Sequence, residues 1–135
     1  VVPADTSLSN LAPSGIASQS STHSTHYASL GIDGDKSSIF LQGSCFHTSD
    51  APTHWWKLLL PDMYRITSIS ITNRKDFPYR INGAEILVGN SLENNGSNNP
   101  RHTILFQKSN NKVHFIKGGC FSCLPLFKLN KKVRI

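Results

Sequence analysis

Ile66-Thr67-Ser68-Ile69-Ser70-Ile71-Thr72 runs directly into Asn73-Arg74-Lys75-Asp76-Phe77-Pro78-Tyr79-Arg80, and the junction decides how the chain is read. In the first stretch Ile69 and Ile71 alternate with Ser68, Ser70 and Thr72. A period of two places the isoleucines on one face and the hydroxyls on the other, the mark of a strand with one buried and one wet side. The second stretch has no period and reads as the loop at that strand's end. Two arginines flank Asp76, and Phe77, Pro78 and Tyr79 fill the gap before Arg80.

Working outward, the same reading applies elsewhere. Short apolar runs at 55–60, 66–72, 84–88, 103–107 and 113–116 are the expected strands. Pro61-Asp62, Asn82-Gly83 and Gly118-Gly119 supply turn residues between them. Residues 90–100 are polar and strandless, and 18–29 is rich in Ser, Thr and His and reads as loop. Helical periodicity is poor and no repeat of ~20 to 50 residues is present. The expected fold class is therefore all-β, a sandwich or barrel, with 1–135 forming a single domain.

Composition agrees. With 16% charged and 38% hydrophobic residues the chain is ordinary for a globular protein. No apolar run reaches the ~18 to 20 residues that a membrane-spanning helix needs, so no membrane insertion is expected. The chain opens Val1-Val2-Pro3, which reads as mature or trimmed, as if a signal peptide had been removed.

The net charge of +6 is unevenly placed. Residues 1–93 hold six Lys/Arg and all eight Asp/Glu, a net of −2; residues 94–135 hold eight Lys/Arg and no carboxylate, a net of +8. A basic segment attracts anions, but a solvated strand-and-loop region is the simpler reading, and no nucleic-acid partner is expected. The cysteines are Cys45, Cys120 and Cys123; an odd count leaves at least one unpaired within the chain. Asn95-Gly96-Ser97 is an N-glycosylation sequon in a polar loop, consistent with a secreted protein.

Enzyme readings find little support. There is no GxSxG elbow, no HExxH zinc motif and no glycine-rich phosphate loop. His23, His26, His47 and His54 could gather round a metal, but they lack a ligand spacing of the usual kinds. The acids are mostly isolated, which leaves no carboxylate pair for glycoside hydrolysis. The Arg74–Arg80 cluster is different. Asp76 can hold guanidinium forks by charge-assisted hydrogen bonds, leaving their remaining N–H groups as a rigid donor patch. Sugar hydroxyls accept such bonds, while apolar sugar faces pack on surfaces such as Phe77, Pro78 and Tyr79.

Over roughly residues 9–100 the sequence resembles the F-type lectin (fucolectin) family. The resemblance is carried by Ser9-Asn10-Leu11-Ala12 with Ala17-Ser18-Gln19-Ser20-Ser21-Thr22, by Gly31-Ile32-Asp33-Gly34-Asp35, and by Phe40 with Gly43-Ser44-Cys45-Phe46-His47-Thr48. Trp55-Trp56-Lys57 and Asn73 through Asp76 leading to Arg80-Ile81-Asn82-Gly83-Ala84-Glu85-Ile86 complete it. The family's sugar motif is a His, 26 residues, Arg-x-Asp, a short gap and Arg or Lys; here 74 − 47 − 1 = 26.

The resemblance implies a jelly-roll β-sandwich of discoidin-like type that binds terminal L-fucose without altering it. His47, Arg74 and Arg80 would donate hydrogen bonds to the sugar, Asp76 would orient the arginines, and Phe40 would face the fucose methyl. Phe77 or Tyr79 would add apolar platform. The resemblance also implies structural calcium held by Asp33, Asp35, Ser44 and the Leu30 carbonyl, a set of hard oxygen donors. Secretion, a disulfide, fucosylated glycans as partners, homo-oligomers for avidity and a role in innate defence or agglutination follow from the same source. Rival readings are a discoidin-like adhesion module for protein or lipid head groups, and polyanion binding by the basic tail.

The chain departs from the family in three places. The gap between Asp76 and Arg80 is three residues rather than four, without the adjacent cysteine pair many members carry. His102 stands where many have Cys. The pattern fades into a divergent basic tail at about 106–135, without the Cys-Glu of the family's closing strand. Two readings of the tail stay open: a divergent closing strand with Cys120 or Cys123 bonded to Cys45, or a tail from altered splicing or truncation.

Overall fold

The computed structural model describes residues 10–49, 52, 54–62, 68–77, 85–102, 112–116 and 126–130. Its strands are β1 (Ile16–Gln19), β2 (Trp55–Leu59), β3 (Ser68–Thr72), β4 (Glu85–Gly89), β5 (Arg101–His102), β6 (Lys112–Ile116) and β7 (Leu126–Asn130). The helical segments among the described residues are single 3-10 turns at Ala12–Ser14, Ala28–Ile32, Phe40–Gln42 and Glu93–Gly96. One antiparallel sheet has the order β1-β2-β7-β4-β5, and β3 pairs with β6 in a second.

Period two explains the strands. In β2, Trp56 and Leu58 are buried while Trp55, Lys57 and Leu59 are only half so. Ile71 of β3 is buried and Ile69 packs against the same cluster, as the alternation requires. Ile86 and Val88 of β4 join Trp56, Leu58, Leu60, Phe46 and Ala28, so one core draws on both sheets. Leu87 on the opposite face of β4 is buried too, which suits a strand flanked by β7 and β5. Phe46 and Trp56 stack at 5.2 Å. A Cβ on Gly31 would sit 2.8 Å from Phe46 and 3.0 Å from Trp56, so only glycine lets this turn approach the pair.

The expected strands at 55–60, 66–72, 84–88 and 113–116 appear, with bounds shifted by one or two residues where they are described. The expected strand at 103–107 lies outside the described residues. Residues 90–100 are strandless; Asn99 ties that loop by donating to Ser91 and Gly96 carbonyls and accepting from the Ser91 amide. Two expectations change. Ser18 and Gln19, read as loop, belong to β1, and Ala28 begins a 3-10 turn. The cause is that β1 is an edge strand: Ile16 is 72% exposed, and main-chain pairing to β2 holds it without an alternating apolar signature.

The tail supplies β7. Trp56 stands opposite Leu129 and Leu58 opposite Phe127, while β4 aligns Ile86 with Leu129 and Val88 with Phe127. The two tail residues thus sit in rows whose described members are buried. Lys128 falls in the row of Lys57 and Leu87, so this part of the basic tail serves as sheet.

A chain ending at residue 125 should lose cooperative thermal unfolding by circular dichroism, because β2 and β4 would each expose an unpaired edge at the centre of the sheet. Melting within a few degrees of the full chain would overturn the placement of β7.

Candidate functional site

At the end of β3 the chain delivers Arg74 into a largely buried position, 8% exposed. A guanidinium there needs partners, because a buried charge without them is costly. Asp76 provides one: Arg74 Nε donates to Oδ1 at 2.6 Å, and Nη2 donates to Oδ2. The second is aromatic. Arg74 Cζ lies 3.9 Å from the centroid of the Phe40 ring and 5.3 Å from that of Phe77. The Asp76 carboxylate holds the Arg74 pKa above its ordinary value, against the opposing effect of burial. The Lys75 amide donates to the Ser38 carbonyl at 2.9 Å, tying this loop to the segment that carries Phe40.

His47 approaches from a third segment and is 4% exposed. Its ring centroid is 5.9 Å from Phe40. Nδ1 lies 2.7 Å from the Thr48 carbonyl, which can only accept, so Nδ1 carries the proton and donates. His23 and His26, which the sequence offers only as metal ligands without a usual spacing, stand in the same cluster. His26 stacks on Phe40 at 4.6 Å, and His23 lies 4.6 Å from His47. Main-chain bonds from the His23 amide to the His47 carbonyl and from the His47 amide to the His26 carbonyl pair the two segments. The His23–His26 pair lies in a Ser/Thr-rich stretch and matches no motif, so its spacing carries no signal. His54 instead meets Thr48 Oγ1 at 3.0 Å. Among the described residues no three His, Cys, Asp or Glu side chains gather for a metal ion.

Phe77 is exposed and has a positive φ of 59°, a costly backbone for an aromatic residue. Tyr79, Arg80, Cys120 and Cys123 lie outside the described residues. Cys45 is buried and has no disulfide partner among the described residues. Burial pushes its pKa up, partly opposed by the nearby Arg74 cation.

The Asp33-Gly34-Asp35 turn lies along the same segment. Gly34 has φ of +83°, and Asp33 Oδ1 accepts from the Asp35 amide at 2.9 Å. Ser44 Oγ donates to Asp33 Oδ2 at 2.7 Å, so two of the expected calcium ligands meet in space. Asp35 Oδ1 accepts from the Ser37 amide. Leu30 belongs to the 3-10 turn just before. Two carboxylates, a hydroxyl and a main-chain carbonyl are hard oxygen donors and fit calcium chemically. The sequence has no Asp or Glu after Glu93, so no carboxylate from the last third of the chain can join the set.

The family model described as NedA-like, galactose-binding domain matches residues 30–118. Fucolectin-1 of Anguilla japonica is 48% identical over 102 residues, 71% of this chain and 57% of its own length. Fucolectin of Anguilla anguilla is 41% identical over 111 residues, 78% of this chain and 70% of its own. This chain belongs to the F-type lectin (fucolectin) family. A crystal structure of an F-lectin from the serum of striped bass, Morone saxatilis, matches with a TM-score of 0.69 and 34% identity, over 94% of this chain and 48% of that one. The F-type lectin domain is thus a β-sandwich, of a family that binds carbohydrate rather than catalysing a reaction. The chain spans 57% and 52% of the first two curated relatives it matches, both fucolectins of Anguilla japonica.

In this F-type lectin domain the Cys45 thiol should resist iodoacetamide at about pH 8 in the native state and react on denaturation, because burial both shields it and keeps it protonated. Mass spectrometry of the peptide reads the outcome; rapid native labelling would mean that the segment carrying His47 opens.

Proposed function

We propose that this domain recognises terminal L-fucose on glycans, using Arg74, His47 and Arg80 as the polar contacts. The observation that carries the reading is that Phe40, His47 and the Arg74–Asp76 pair, from separate stretches of the chain, meet around one aromatic ring. Arg74, oriented by Asp76, donates to sugar oxygens. His47 makes a further hydrogen bond to the sugar from the same side, so that an axial hydroxyl meets converging polar groups. Phe40, with Phe77 and Tyr79, forms the apolar wall that favours a methyl at C6 over a hydroxymethyl. The names of the relatives support fucose, whereas the family model's name points to galactose, which makes galactose the informative competitor.

In the same reading the chain is one jelly-roll domain, secreted, and recruits fucosylated glycans with an avidity that homo-oligomers would supply. Calcium, held by Asp33, Asp35, Ser44 and the Leu30 carbonyl, supplies charge that replaces the Ser44–Asp33 hydrogen bond as the brace of the segment leading to Phe40 and His47. Innate recognition or agglutination is the physiological role that such binding serves.

Calorimetric titration of the wild-type chain with L-fucose should show sub-millimolar binding, absent for galactose. Arg74→Lys, which keeps the charge but loses the fork, and His47→Ala should each weaken it about tenfold or more, the size of a lost charged or buried hydrogen bond. Undiminished binding in both variants would sink the site assignment.

Excess calcium should raise the melting temperature by about a few degrees, and Asp33→Asn should abolish the increment. Equal melting with calcium and with chelator would remove calcium from the reading.

A further inference from the structure

We propose that Asn95 is an N-glycan attachment site, held on an outer loop away from the His47–Arg74 cluster. Asn95-Gly96-Ser97 is the only Asn-x-Ser/Thr tripeptide in the sequence. The proposal goes beyond fucose recognition and draws on the secreted reading only for the compartment in which such a transfer takes place.

The 90–100 loop sorts its asparagines by task. Asn99 is buried and ties the loop from beneath, through Ser91 and the Gly96 carbonyl. A Cβ on Gly89 would sit 2.2 Å from Asn99 Oδ1, so β4 ends in glycine where this side chain tucks in. Asn94 Nδ2 donates to Asn98 Oδ1 at 3.4 Å, and Asn98 Nδ2 donates to Glu93 Oε2 at 3.2 Å. Asn95 is exposed, on a backbone with positive φ at Asn94, Asn95 and Gly96 in succession, a turn that asparagine and glycine tolerate best. Its Oδ1 accepts from Lys57 Nζ at 3.0 Å. An ammonium only donates, so the oxygen must be the atom that faces Lys57. Nδ2, the other end of the amide, has no hydrogen-bond partner among the described residues. Lys57 is itself steadied over the Trp55 ring, 5.2 Å from its centroid.

N-glycosylation uses that nitrogen alone. Nδ2 attacks the anomeric carbon of a lipid-linked oligosaccharide diphosphate. A carbon–nitrogen bond forms, the bond from that carbon to the diphosphate oxygen breaks, the lipid diphosphate leaves, and Nδ2 gives up one of its two protons. The amide oxygen is untouched, so the Lys57 bond can persist in the product. The placement also spares the fucose cluster. Strands β2, β7 and β4 align Trp55, Asn130 and Glu85 at one end and Leu59, Leu126 and Gly89 at the other. The segments carrying His23 and His47 meet beyond the first end, where the Ser20 amide bonds the Trp55 carbonyl, whereas the 90–100 loop leaves from the second.

Expressed behind a supplied secretory leader in animal cells, which makes the test independent of the native compartment, the chain should be secreted heavier than its polypeptide mass. Peptide N-glycosidase should remove the excess and leave Asp at position 95, read by mass spectrometry of the peptide. Asn95→Gln and Ser97→Ala should each be secreted without the glycan. Their affinities for methyl α-L-fucoside should lie within about twofold of the glycosylated wild type. Secreted wild type whose Asn95 peptide is unmodified overturns the site. Glycan-free variants that both bind the fucoside more than about fivefold tighter overturn its placement away from the cluster. Protein that carries the glycan but ignores the fucoside in every form supports the attachment site and sinks the fucose reading alone.

Discussion

Arg74 is a cation held where water scarcely reaches, and the site is arranged by that constraint. A guanidinium in such a place must be neutralised and its donors satisfied, or the strand end that carries it would not stay folded. Asp76, two residues on, takes the fork, and Phe40 covers the planar face. Each partner fixes something further. Asp76 ties the loop back onto the end of β3, and just past it the backbone turns through the positive φ at Phe77. Phe40 obliges the segment after the Asp33-Gly34-Asp35 turn to lie against the β3 loop, and the Lys75–Ser38 main-chain bond records that contact. His26 and His47 then pack where Phe40 leaves room.

The scaffold beneath is a sheet whose middle strand comes from the end of the chain. Because β7 lies between β2 and β4, strands distant in sequence close around it, and the five-stranded sheet is continuous only when the tail is in place. The composition of the tail fits that position. Leu126-Phe127-Lys128-Leu129-Asn130 puts Phe127 and Leu129 in rows occupied by Trp56, Leu58, Ile86 and Val88. The concentration of positive charge after residue 93 thus coexists with a structural task, which weakens the case for a tail devoted to polyanions.

How much of this was legible followed from how each feature is encoded. The β2, β3 and β4 strands announce themselves because one face is buried and period two survives in the sequence, as with Ile69 and Ile71. Edge strand β1 does not, since its pairing is main-chain and Ile16 faces solvent. The five residues of β7 are too few to display a period, and their neighbours obscure them with glycine, cysteine and lysine. At the site, Arg74 and Asp76 are two residues apart in sequence, and a carboxylate so near an arginine reads directly as a partner for its fork. The ordered blocks likewise brought His47 and Phe40 into view. The placement of His26 beside Phe40 stayed hidden because a ring-on-ring contact and a bond to the Cys45 carbonyl leave no spacing in the sequence. The contact of His47 Nδ1 with the Thr48 carbonyl was invisible for the same reason.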